Sequence, residues 1–225
     1  MNHVVAKTLL GLVGLALFTA LALFGPAGTL RYWQAWLYLI VFGAATLFIT
    51  LYLWRRDPAL LARRVKGGPI AETRKSQQSI QTFSSVAFLA LLVVPSLDHR
   101  FAWSRVPPAI ILTGDLLVAL GFCIVLLVFR VNTFTASTVE VAEDQTLVAT
   151  GPYAIVRHPM YAGALLILLA TPLALGSWWG LLAFLPMLAA IVVRLLDEEN
   201  FLCESLSGYA EYAARVRHRL LPFVW

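Results

Sequence analysis

Charge is scarce in this chain. Asp, Glu, Lys and Arg make up only 13% of its 225 residues, about half the share carried by soluble domains. Hydrophobic residues make up 60%, and a mean hydropathy of +0.80 excludes a fold solvated by water on all sides. The two cysteines, Cys123 inside an apolar run and Cys203 beyond the last one, exclude a disulfide framework. Together with four scattered histidines they match no zinc spacing, so no metal site is expected. Outside the connections between apolar runs no basic patch is interleaved with aromatics, which argues against nucleic acid as a partner. No linker, repeat or low-complexity tract divides the chain, so a single membrane domain is expected.

What is present is a set of long apolar runs. Six segments read as helices that cross a bilayer: Thr8–Phe24, Trp33–Trp54, Ile80–Leu97, Ala109–Phe129, Tyr161–Leu175 and Trp178–Leu196. The fifth is short and contains Pro172. Only Gly176 and Ser177 separate it from the sixth, which predicts a tight helical hairpin. The first run follows Lys7 as a signal peptide would, but it leads almost directly into a second span and reads as a retained helix. The fold class expected is all-α, an integral membrane protein of about six helices.

Positive charge sets the orientation. With the amino terminus inside, 14 of the 17 Lys and Arg fall on cytoplasmic segments, leaving Arg31, Arg100 and Arg105 outside. Both termini are therefore expected in the cytoplasm, and the basic excess reports topology and contact with anionic membrane lipids.

Residues 1–130 read as a four-span scaffold. Its basic connection, RRDPALLARRVKGGPIAETRKSQQS, reads as a solvated loop facing lipid. Asp115 is the one acid expected to be buried there, and both a functional role and a bond to a neighbouring helix remain open. Residues 131–225 differ in character. STVEVAEDQTLVAT alternates apolar and polar side chains about Glu143 and Asp144, predicting a short β-hairpin at the cytoplasmic face. After the last span, Leu202, Leu206, Tyr209, Ala213, Val216 and Leu220 recur at helical spacing, predicting an amphipathic helix on the membrane surface, broken at Gly208. Pro222, Phe223 and Trp225 suit the interfacial belt.

Between these features lies GPYAIVRHPMYAG, residues 151–163. Pro159 keeps His158 out of the helical region, so a helix starts just beyond it. Its first N–H groups and positive dipole end would face the loop, with Arg157, His158 and Tyr161 around them, a place suited to an anionic group. Gly163 admits a close neighbour, backbone or ligand. RLLDEE follows at 194–199, where Arg194 and Glu198 lie four apart on one helix face at the same depth. Each charged residue alone reads equally well as an interfacial side chain; together they point to one pocket.

The combination of G-P-Y-x-x-x-R-H-P-x-Y-x-G with the downstream Glu pair and a Tyr-rich tail resembles the isoprenylcysteine carboxyl methyltransferase family and its bacterial relatives, which include phospholipid methyltransferases. The resemblance covers about residues 130–225. It implies S-adenosyl-L-methionine as cofactor, a lipophilic, prenylated or lipid acceptor, a bacterial inner membrane, and a pocket built from the C-terminal helices and tail. Carried over by motif, Gln145, Thr146, Leu147, Val148, Tyr153, His158, Pro159, Met160, Tyr161 and Glu198 would hold the cofactor. Arg194 matches the arginine at the acceptor carboxylate, and with Glu198 it forms the implied catalytic pair. The tail departs from the family pattern at S-G-Y-A-E-Y, which leaves the roles of Tyr209 and Tyr212 open.

A carboxylate acceptor is ionised at neutral pH and needs a cation rather than a base, which favours carboxyl methylation with Arg194 as the cation. An amine acceptor, as in a phospholipid N-methyltransferase, would need a base, for which His158 is less natural. Two other classes remain open. The R-H-x-x-Y-x-G stretch and the Cys- and Tyr-bearing tail are similar to NADPH-dependent sterol reductases, and a non-catalytic scaffold would predict no cofactor binding at all.

Overall fold

The computed structural model describes residues 2–65, 72, 74–135 and 145–225. Every regular element among them is helical. Five helices have the length and apolarity to cross a membrane: α1 (Asn2–Ala27), α2 (Trp33–Arg56), α4 (Lys75–Phe101), α5 (Pro108–Val131) and α7 (Gly180–Ser205). Between α2 and α4 lies α3 (Pro58–Val65), and α6 (Pro159–Ala174) and α8 (Tyr209–Arg215) complete the set. The expected fifth span is α6. Its 16 residues extend about 24 Å, short of the ~30 Å hydrocarbon core, because Pro159 fixes its start and the turn at Gly176 its end. Five full-length apolar helices and one short one make this an integral membrane protein.

Helix α6 connects to α7 through a tight turn, as expected. Gly176 takes φ +73° there, and the Gly176 and Ser177 N–H groups donate back to Leu173 and Pro172. The two helices pack mainly on earlier ones, however: α6 lies along α5, and α7 along α4. Small residues set the α5–α6 approach. A Cβ on Gly114 would lie 2.4 Å from the Ala174 nitrogen, and one on Gly163 would lie 3.0 Å from the Gly121 carbonyl oxygen. The close neighbour that Gly163 admits is therefore a helix backbone, as in other membrane helix pairs.

The expected outer end is held by polar contacts. Asp98, buried at the end of α4, accepts from the Ser104 N–H and hydroxyl at 2.6 Å and from the Ser177 hydroxyl at 2.5 Å. The Tyr32 hydroxyl donates to the Leu175 carbonyl at 2.7 Å. Asp115 is thus not the one buried acid of the scaffold. It is 5% exposed, and neither of its carboxylate oxygens has a hydrogen-bond partner among the described residues, so the expected bond to a neighbouring helix is not made.

Three other expectations are corrected. Where it is described, the basic connection is no solvated loop. Asp57 caps α3 by accepting the Leu60 N–H at 2.8 Å, Leu60 and Leu61 bury against Phe129, and the Glu72 and Gln77 side chains are buried; charge density hid a short amphipathic helix. The first arm of the expected β-hairpin lies outside the described residues, and its second arm, 145–150, is irregular backbone with no strand partner among those described. In the tail Gly208 does break the helix, at φ +79°, but the apolar face turns inward. Tyr209, Tyr212 and Val216 pack on Leu147, Tyr153, Leu202 and Leu206, because the loop before α6 offers them a protein surface. Leu221, Phe223 and Val224 remain exposed beyond it.

Candidate active site

A 3-10 turn at Gly151–Ala154 precedes the start of α6, with Gly151 at φ +59°. His158 is extended at φ −123°, Pro159 opens the helix, and the Ala162 N–H closes the first helical bond onto the His158 carbonyl at 3.1 Å. The Arg157 and His158 N–H groups run along the tail instead, donating to the carbonyls of His218 and Arg219 at 2.9 Å each.

Glu199 is the hub of this junction. Its carboxylate accepts from Arg157 Nε at 2.6 Å and Arg219 Nε at 2.7 Å, and lies 3.1 Å from His158 Nε2. The Arg157 Nη1 also donates to the Ala213, Val216 and Arg217 carbonyls. Arg157 lines the cavity described below with its Nε and Nη1 already committed to these partners. It binds the tail to α7, and a buried guanidinium with this many acceptors is fixed in place.

Glu198, one residue earlier, faces the other way. Its Oε2 accepts the Tyr161 hydroxyl, whose oxygen in turn accepts from Arg194 Nε at 3.0 Å. Arg194 Nη2 reaches Glu72 Oε1 at 3.2 Å, and Glu72 also accepts from Gln81 Nε2 at 2.7 Å. The expected face shared by Arg194 and Glu198 is real, and Tyr161 bridges it. On another side of α7, Asp197 pairs with Arg74 at 3.2 Å and accepts from Gln77, which holds the start of α4 beside the site.

Of these residues, Arg157, His158, Tyr161, Arg194 and Glu198 line a cavity of about 470 Å³, within the ~300–1,000 Å³ range of small-molecule sites. Of the residues predicted from sequence, Gln145, Thr146, Leu147, Val148, Tyr153, His158, Met160, Tyr161, Arg194 and Glu198 line it. Pro159 does not; it is buried in the first turn of α6. Sequence reasoning missed Arg64 and Asn132 and left Tyr209 and Tyr212 unassigned; all four line the cavity. Asn132 Nδ2 donates to the Tyr153 hydroxyl at 3.0 Å, and the Tyr212 hydroxyl donates to the Tyr153 carbonyl at 2.8 Å. The signals available were weak: an Asn just past an apolar run, and a Tyr pair at non-family spacing.

Burial pushes the Tyr153 phenol up to about 12, with the Glu198 charge adding to the shift and the Asn132 bond opposing it. The Tyr209 phenol is raised by burial and then by Glu199 and Glu198. Burial lowers the Arg64 guanidinium; Tyr161 opposes this and the charge of Arg194 adds to it.

Residues 109–207 match the phospholipid methyltransferase family model. That stretch runs from α5 to just past the end of α7 and is similar to the phospholipid methyltransferase family. The isoprenylcysteine carboxyl methyltransferase-like enzymes of the resemblance drawn above fall within it. The family is one of membrane methyltransferases, in keeping with the apolar helices, and the match ends before the tail that completes the cavity.

The donor set suits the cofactor such enzymes use. The Tyr209 hydroxyl is buried and has no hydrogen-bond partner among the described residues, so it could donate to a ligand. Glu198 supplies a carboxylate for an ammonium, and the positively polarised start of α6 at Met160 and Tyr161 suits a carboxylate.

Proposed function

We propose that the chain transfers a methyl group from S-adenosyl-L-methionine to a lipid-borne carboxylate at the inner face of a bacterial membrane, with both termini cytoplasmic. The observation that carries this is the Glu198–Tyr161–Arg194 series on one wall of the cavity, beside the start of α6.

When bound, the cofactor supplies a methyl carbon already activated on a sulfonium. Residues 145–148, Tyr153, the segment from His158 to Tyr161, Tyr209 and Glu198 would hold it. Catalysis by this chain then consists of alignment and of excluding water. Arg194 supplies the charge that an anionic acceptor needs, and its Nε bond to Tyr161 and its pair with Glu72 set its direction. His158 is turned onto Glu199, which leaves it badly placed as a base for an amine. That supports the carboxylate reading.

A second reading, N-methylation of an amino headgroup, is favoured by the family description and by the Glu198 carboxylate in the cavity. The family match supports either form of methyl transfer over the NADPH reductase and scaffold alternatives.

Titration of purified protein with S-adenosylhomocysteine and, separately, NADPH tests the cofactor. Saturable binding of the first alone is expected. Binding of NADPH alone would overturn the proposal. Radiolabelled methyl transfer to lipid extract then separates the acceptors: a methyl ester releases volatile methanol in alkali, and an N-methyl product does not.

A further inference from the structure

A second cavity, of about 340 Å³, lies between α1, α2, α3 and α5. Three of its lining residues, Arg64, Phe122 and Val125, also line the cavity described above, so the two adjoin through that group. We infer that this second cavity is the berth for the hydrocarbon chain of an anionic lipid acceptor, with Arg64 holding the acceptor's anionic group at the junction.

Four observations carry the inference, which rests on the methyl-transfer reading. The walls are hydrocarbon, chiefly Leu12, Leu15, Ile49 and Leu53. The hydroxyls of Thr46 and Thr50 fold back onto helix carbonyls at 2.8 Å each, so they ask nothing of an occupant. The lining runs from Lys7 to Leu15 along α1, about 12 Å at the helical rise, which matches most of one leaflet of the ~30 Å core. Cationic groups gather at the end nearest the active site: Lys7 and Arg64 line the cavity where α1 begins and where α2 and α5 end.

Arg64 is held there. Its guanidinium carbon lies 5.3 Å from the Phe129 ring centroid, and the neighbouring Arg63 donates to the Thr133 carbonyl, tying α3 to the end of α5. Arg64 also feels the charge of Arg194. A carboxylate or phosphate would thus meet two guanidiniums on its way to the reacting end, while its chain stays in the leaflet. The berth is built largely from helices outside the segment that matches the methyltransferase family, so chain selection belongs to the N-terminal half.

The test is photolabelling of the full-length protein with a diazirine-bearing palmitate, with the sites read by peptide mapping. Labels are expected on residues 7–15 and 46–53, and excess palmitate should displace them. Displacement by lysophosphatidate instead would assign the anion as phosphate, within the same inference. Equal displacement by hexadecanol would overturn the role of Arg64, and labelling confined to α4 or α7 would overturn the berth. Gly11 lines the cavity, and a Cβ there meets nothing within 4 Å, so Gly11→Phe adds bulk from an open position on its wall. It should cut labelling at least tenfold and leave S-adenosylhomocysteine binding intact; unchanged labelling would overturn the inference. Labelling as expected in a protein that binds no S-adenosylhomocysteine would sink the methyl-transfer proposal alone.

Discussion

Glu198 and Glu199 are adjacent on α7, yet successive residues of a helix point about 100° apart. One lines the cavity and accepts from Tyr161; the other is enclosed by Arg157, His158 and Arg219. Their substitutions should separate cleanly. Glu199→Gln leaves buried cations uncompensated and is expected to cost ~3–5 kcal/mol of stability, read as a lowered melting temperature in detergent. Glu198→Gln should leave melting nearly unchanged and weaken S-adenosylhomocysteine by ~10- to 100-fold, the worth of one hydrogen bond to a charged group. The sequence pointed to Glu198 because it lies four residues after Arg194 on one helix face, but it gave no sign of the cations that enclose Glu199. It likewise marked Arg157 for an anion, since a guanidinium's partners lie at 199 and 213–217, far along the chain. Tyr153 adds a pH dependence. Its phenol is raised from 10.0 to about 12, so the fold favours the neutral form. That contribution is complete below the unfolded value and is lost as pH rises through the folded one. Melting temperature should therefore fall between about pH 10 and about pH 12, and fall less in Tyr153→Phe.

Among elements, the α5–α6 contact governs where the motif at residues 151–163 sits. A Cβ on Gly121 would lie 2.5 Å from Ile167 and 2.8 Å from the Gly163 carbonyl oxygen. Gly121→Leu should force the helices apart at a cost of at least ~1–3 kcal/mol and should lower cofactor affinity, because Phe122 and Ile167 line the cavity beside it. Gly43→Ala, where a Cβ meets nothing within 4 Å, should leave both measurements unchanged. Helix existence was legible from run length, and the start of α6 from His158-Pro159. The packing of α6 on α5 was not, since a glycine in an apolar run signals close approach without naming the neighbour. Nor was α3 legible. Its two basic residues and its Ala, Leu and Val residues sit inside a run of charges whose bulk composition reads as solvated.

Over the full chain, the charge asymmetry and the even count of apolar helices make a single prediction of topology. In a background where Cys123 and Cys203, both free, are replaced by Ala, Arg105→Cys should react with a membrane-impermeant maleimide in intact cells. Glu211→Cys should react only after permeabilisation. Labelling of both from outside would overturn the six-crossing arrangement.

The tail's place in the structure also bears on how the protein is made. Arg219, the carbonyls of His218 and Arg219, and the Tyr209 hydroxyl all lie beyond the last apolar helix, and synthesis runs from the amino end. A nascent chain can therefore insert every apolar helix while Glu199 still lacks one of its cations and the cavity lacks a wall. The cavity gains that wall only once the residues beyond α7 have emerged. A molecule clipped near residue 208 would keep every apolar helix for the bilayer and lose the wall that Tyr209 and Tyr212 give the cavity.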